Sequence, residues 1–225
     1  MTPVPLPERL EMVRSAISEA ARVAGRADSE ITTIVVTKFH PPELVRELHS
    51  LGVRDFGENR HQEASAKAAE VADLDLVWHF VGQLQSKKAR QARSYARVIH
   101  SLDRESVIDA LADAESVVDG FVQLNLTDDP SRGGVQPEDL QRIAERVIGT
   151  EGLRLLGVMA VAPIGEEPRR AFERVRQASD QLVAIQPEAR FISTGMSGDF
   201  REAIQEGATH LRIGSAITGN RGTTG

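Results

Sequence analysis

The stretch ITTIVVTK (31–38) is apolar on both faces, rich in β-branched residues and closed by a lysine. That is the pattern of a strand covered on both sides by helices. Seven more runs resemble it: VRDFGE (53–58), DLVWHFVG (75–82), RVIHSLD (97–103), GFVQLNL (120–126), LRLLGVMAVA (153–162), RFISTG (190–195) and HLRIGSA (210–216). Helical stretches lie between them. Pro42 can open the first, with Leu44, Val45 and Leu48 at helical spacing. Residues 104–116 carry Val107, Ile108 and Leu111, and residues 168–185 carry Phe172, Val175, Leu182 and Ile185. An extra helix over about 7–24 precedes the first strand, with Leu10, Val13, Ile17 and Ala21 along one side. Strands and helices alternating in this way make a parallel sheet. Eight strands favour closure into a (β/α)8 TIM barrel, with an open doubly wound sheet as the competing architecture.

A barrel with short loops consumes the whole length of 225 residues. The expectation is therefore one domain over 1–225: the helix at about 7–24, the barrel at about 31–219 and a flexible glycine-containing tail at 220–225. The net charge is −6, from 33 acidic and 27 basic residues, which argues against a nucleic-acid surface or a polybasic membrane anchor. The absence of cysteine excludes disulfides, thiol nucleophiles and cysteine-bound zinc. Glu8 and Glu11 interrupt any leader-like start, and no apolar run has the length to cross a bilayer. A soluble, cytoplasmic protein is expected.

Active sites of parallel barrels form at the carboxyl ends of the strands. Those ends carry Lys38, the segment Gly57 to Asn59, His79 with Gly82, Asp103, Asn125, Met159, the stretch Ser193 to Ser197, and Arg212 to Ser215. A lysine ending an apolar strand can condense with a carbonyl through its neutral amine, or it can simply snorkel to water. STGMS (193–197) is expected to run into a helix starting near Ser197 or Gly198, and RIGS (212–215) to end the eighth strand. Glycines let backbone approach a ligand, and phosphate sites in this fold lie after strands seven and eight. The same glycines would equally serve two tight turns. His79 reads as a structural or supporting residue, and the histidines show no paired spacing that would hold a metal. Walker, dinucleotide and GxSxG patterns are lacking. Arg212 could face a pyridine nitrogen. Its permanent charge would keep that nitrogen unprotonated and the ring a poor electron sink. A salt bridge is the plainer role.

VTK (36–38), FGEN (56–59), WHFVG followed by LQ (78–85), HSLD (100–103), GVMA (157–160), TGMS (194–197) and RIGSAI (212–217) together resemble the pyridoxal phosphate homeostasis protein family. That family is related to the barrel domain of alanine racemase, and the likeness covers nearly the whole chain. It implies a barrel without the racemase's second domain, binding pyridoxal 5′-phosphate as a Schiff base on Lys38. It also implies phosphate contacts from Met196, Ser197, Gly214 and Ser215, with Ser193 a further candidate, Asn59 lining the pocket and Arg212 facing the pyridine nitrogen. The implied protein is a monomer that balances cofactor levels, has no catalytic residues of its own, and hands cofactor to apo-enzymes. The tyrosine that racemases use as acid and base belongs to the missing domain, and the only tyrosine here is Tyr95, within a predicted helix. Two enzymatic alternatives stand beside this reading: a pyridoxal phosphate-dependent racemase or lyase, and a sugar-phosphate aldolase or isomerase using Lys38. Thr37, Lys87, Asp129, Arg132 and Thr218 depart from the family's usual residues; none is among the implied cofactor contacts, so they bear only on loop-mediated handover.

Overall fold

Eight parallel strands pair in sequence order and close on themselves: β1 (Thr32–Val36), β2 (Asp55–Glu58), β3 (Val77–Phe80), β4 (Val98–Leu102), β5 (Val118–Gln123), β6 (Leu153–Met159), β7 (Phe191–Ser193) and β8 (His210–Ile213). The computed structural model describes residues 4–219, so the tail expected at 220–225 lies outside the described residues. Closure is made by β8 on β1, with Thr32 opposite His210 and Val35 opposite Ile213. The barrel expected from the sequence is therefore present, and the open sheet is not.

Helices α2 (Pro42–Ser50), α3 (His61–Glu70), α4 (Ser86–Arg93), α5 (Glu105–Leu111), α6 (Leu140–Ile148), α7 (Pro168–Ile185) and α8 (Phe200–Gln205) connect successive strands. The extra helix α1 (Leu6–Val23) precedes β1. It is tied to the closing end of the chain by Arg9 Nε, which donates to the Ile217 carbonyl at 2.6 Å. Strand residues alternate between two cores. Val35, Phe56, Phe80, Ile99, Val122, Val158 and Leu211 pack with helix residues such as Val45, Ile108, Ile143, Phe172 and Leu182. A separate small cluster holds Val98, Phe121 and Met159 with Val77, Leu156 and Phe191. This period of two is what strands demand. On the inner parity lie His79, His100, Ser193 and Arg212, all buried.

Several boundaries differ from the sequence expectation, among them those of the fifth strand, the eighth strand and helix α8. The fifth strand begins at Val118 and ends at Gln123, with Leu124 held beyond it by a single bridge to Val135. The eighth stops at Ile213, and Ser215–Thr218 forms a short helix, α9. Helix α8 starts at Phe200, not at Ser197 or Gly198. The reason lies in the turn before it. Gly195 has φ +91°, the Asp199 amide donates to the Met196 carbonyl at 3.2 Å, and the Asp199 side chain accepts from the Met196 amide at 2.6 Å.

Candidate functional site

Thr37, the residue before Lys38, is pinned twice. Its hydroxyl donates to Glu58 Oε1 at 2.7 Å, and its carbonyl accepts from Lys67 Nζ at 2.9 Å. Lys67 also donates to Glu58, so a buried ion pair sits directly behind the end of β1. Burial pushes the Glu58 carboxyl up, while hydrogen bonding and charge from Lys67 pull it back down. Beyond Thr37 the chain turns sharply: Phe39 has φ +66°, its amide donates to Glu63 Oε1, and the His40 amide returns to the Thr37 carbonyl at 3.1 Å. A bulky residue in the left-handed region is a strained choice that surrounding contacts must hold. Lys38 stands exposed at this turn, following the parity of Ile34 and Val36, with Nζ 6.0 Å from the centre of the Phe39 ring.

Neighbouring β8 delivers Arg212, Gly214 and Ser215 to the same end. Arg212 is buried. Its guanidinium donates to the Ser193 carbonyl at 2.8 Å, the Ser193 hydroxyl at 2.7 Å and the Ala160 carbonyl at 2.8 Å. Burial lowers it to about 10, which leaves it cationic at neutral pH. Gly214 is half-buried and Ser215 exposed. On β7, Ser193 is wholly buried, and its hydroxyl is committed to Arg212 and, at 2.9 Å, to His100 Nδ1. Met196 is exposed, but its amide is already taken by Asp199, whose carboxyl burial raises. Ser197 is half-buried and its hydroxyl accepts from the Ala216 amide at 3.3 Å, which links the β7 turn to the β8 turn. On β1's other flank, β2 carries Asn59 half-buried into a cleft of about 330 Å³ lined by Arg60, His61, Gln83 and Lys88. Asn59 is also why residue 82 is glycine: a Cβ there would lie 2.1 Å from the Asn59 carbonyl oxygen.

The residues named from sequence thus leave four consecutive strands of the closed barrel, β7, β8, β1 and β2, at one rim. The remaining strand-end candidates are engaged elsewhere. Asn125 organises its own loop through Thr127 and the Asp129 carbonyl, Asp103 accepts from the Gly134 amide at 3.2 Å, and Met159 is core. His79 is inside the barrel, 3.0 Å from Asp55 and 2.9 Å from His100. Tyr95 is bonded to His61 at 3.3 Å, and burial raises its phenol. No group of three metal-ligating side chains occurs among the described residues. A larger cleft, about 790 Å³, opens at the opposite end among Leu153, Leu155 and Phe191, away from every strand-end candidate.

The profile of the alanine racemase N-terminal domain family matches residues 11–222. A pyridoxal phosphate homeostasis protein of Pseudomonas aeruginosa is 39% identical, over 95% of this chain and 95% of its own length. The chain belongs to the pyridoxal phosphate homeostasis protein family. The family member from Aquifex aeolicus is 36% identical, over 95% of this chain and 97% of its own. Among solved structures, PipY of Synechococcus elongatus with pyridoxal phosphate bound superposes with a TM-score of 0.83 at 33% identity, over 95% of this chain and 99% of PipY. Alanine racemase of Corynebacterium glutamicum, at 14% identity and a TM-score of 0.70, shares the fold. It extends beyond the family's barrel, since the match covers 63% of its chain.

Sequence reading of this family member missed Lys67, Asp199, Asp55 and the role of His100. For Lys67 there was a signal: it falls between Ala64 and Val71 at helical spacing, a lysine where the buried face requires an apolar residue. Asp55 and His100 lie on different strands and join one line only through the folded barrel, while Asp199 sits in the turn before α8 and its bond to the Met196 amide is a choice among local partners.

Proposed function

We propose that this chain binds pyridoxal 5′-phosphate at the rim made by β7, β8, β1 and β2, holds it as a Schiff base on Lys38, and contributes to cofactor homeostasis without robust catalysis. The observation that carries this is the closure itself: the strand that leads into the exposed Lys38 is paired, from Thr32 opposite His210 to Val35 opposite Ile213, with the strand that leads into Gly214 and Ser215. Pyridoxal phosphate bound in PipY, and the relatives' shared naming, support the same reading.

The residues present suit that cofactor. An exposed amine can meet an aldehyde, and a buried cation stands between β7 and the inner barrel. Backbone amides at Ser197 and Ser215 can serve an anion. Bound cofactor would supply an aldehyde carbon and a conjugated ring able to withdraw electrons from an attached amine. Lys38 provides the amine, while the Thr37, Glu58 and Lys67 contacts fix the backbone that carries it. Gly214 and Ser215, with Ser197, would hold the phosphate, and Met196 would add a contact there through its amide only in exchange for the bond that amide makes to Asp199. Asn59 lines the ring's flank. Arg212 faces the ring nitrogen and, being cationic, keeps it unprotonated, which limits the electron withdrawal that racemisation or lyase chemistry requires. Ser193 serves Arg212 rather than the phosphate. The expected form is a monomer, with pyridoxal phosphate-dependent apo-enzymes as recipients.

Purified protein mixed with pyridoxal phosphate should acquire a visible absorbance that Lys38→Ala removes. A wild-type protein that stays colourless would end the proposal. Exchange of the Cα proton of common amino acids for deuterium should remain negligible; exchange at enzyme-like rates would restore the racemase or lyase alternative.

A further inference from the structure

The lumen of a (β/α)8 barrel is ordinarily filled by branched aliphatic side chains. Here a line of polar groups crosses it. Asp55 at the foot of β2 lies 3.0 Å from His79 Nε2, and His79 Nδ1 lies 2.9 Å from His100 Nε2. His100 Nδ1 lies 2.9 Å from Ser193 Oγ, which accepts from Arg212 at 2.7 Å. His79, His100, Ser193 and Arg212 are all buried, whereas the Asp55 side chain is 30% exposed at the far end. Buried polar groups are costly unless every partner is satisfied, so a chain like this must be complete to be tolerated.

The two ends dictate its direction. A guanidinium can only donate, so the Ser193 oxygen accepts from it and turns its own proton to His100 Nδ1. His100 then carries its proton on Nε2 and donates to His79 Nδ1. His79 in turn carries its proton on Nε2 and donates to the Asp55 carboxylate, which can only accept. Burial holds His100 far below the ordinary histidine value, in keeping with a neutral ring. His210, whose ring centre is 6.5 Å from those of both His79 and His100, bonds to Thr209 and stands outside the line.

We propose that Asp55, His79, His100 and Ser193 form a one-way positioning relay, anchored at the foot of the barrel, that fixes the Arg212 guanidinium toward the cofactor's ring nitrogen. The assignment rests on the cofactor reading above. The relay explains why the lumen gives up aliphatic packing along a path that ends at Arg212. It also makes a residue at the opposite end of the barrel matter to the cofactor.

The test begins on the protein without cofactor, by nitrogen-15 NMR of the histidine rings at pH 7. His79 and His100 should both be neutral with the proton on Nε2. Asp55→Asn replaces the obligate acceptor by a group that can also donate, so both rings should become tautomer mixtures. Pyridoxal phosphate should then bind that variant about three- to tenfold more weakly, and Asp55→Glu should restore both properties. Ser193→Ala, which cuts the line next to Arg212, should weaken binding by a similar factor. A proton on Nδ1 of either ring in the wild-type protein, or unaltered His100 tautomer and affinity in folded Asp55→Asn, would overturn the relay. A protein with the expected tautomers that takes up no pyridoxal phosphate would instead refute the cofactor reading.

Discussion

At the residue scale, position at a strand end made Lys38 a candidate before any contact was known, because that needed only an apolar run and its last side chain; the choice between a snorkelling lysine and a Schiff-base lysine came from the family resemblance. The partners behind Lys38 could not be read in the same way. Glu58 and Lys67 belong to different elements, and the sequence holds no distance between them. Their pairing makes a definite prediction. Lys67→Met leaves a carboxylate buried without its cation and should lower unfolding free energy at pH 7 by about 3 kcal/mol in urea titration. Adding Glu58→Gln to that variant should recover much of the loss, because the uncompensated charge is then gone. Equal stability of the single and double variants would show that the pair does not matter as a pair.

At the scale of elements, strands and helices were legible because their periods are local, and even the bounds of α7 follow from its apolar spacing. The β7–α8 connection was not. Its course depends on Asp199 reaching back to the Met196 amide, a choice between capping partners that spacing leaves open. Gly195 at φ +91° sets this turn, and an added Cβ would meet the Ala203 Cβ at 2.6 Å and Leu211 Cδ2 at 3.0 Å. Gly165 has a similar φ, +86°, with nothing within 4 Å of an added Cβ. Gly165→Ala should therefore cost about 1 kcal/mol of backbone strain, whereas Gly195→Ala should cost about 2–3 kcal/mol. Gly195→Ala should also weaken pyridoxal phosphate binding, as a titration of the visible absorbance would show. Equal effects of the two variants would deny the turn its steric role.

At the scale of the whole molecule, barrel closure joins the two ends of the sequence and creates both the rim and the polar lumen. Count and alternation of strands made the barrel predictable. The lumen's chemistry was not: Arg212 and His79 stood out singly, but the line that joins them through Ser193 and His100 to Asp55 draws on five strands. Closure also sets a pH dependence. Burial holds His100 well below its ordinary value and brings His210 from 6.5 to about 4, so the unfolded chain takes up protons that the folded one refuses. This stability is intact above about pH 6.5 and is lost as pH falls, with His210 alone contributing about 2 kcal/mol of loss between pH 7 and 5. Urea midpoints across that range should drop for the wild-type protein and less steeply for His210→Phe, which keeps the aromatic packing with Phe121 and Phe191. The claim on which the rest depends concerns a single amine. The chain has four lysines, Lys38, Lys67, Lys87 and Lys88, so borohydride reduction of the protein loaded with pyridoxal phosphate, followed by peptide mass mapping, can separate them. The pyridoxyl group should be found on Lys38; a label on Lys67, Lys87 or Lys88 instead, or on none, would contradict the account.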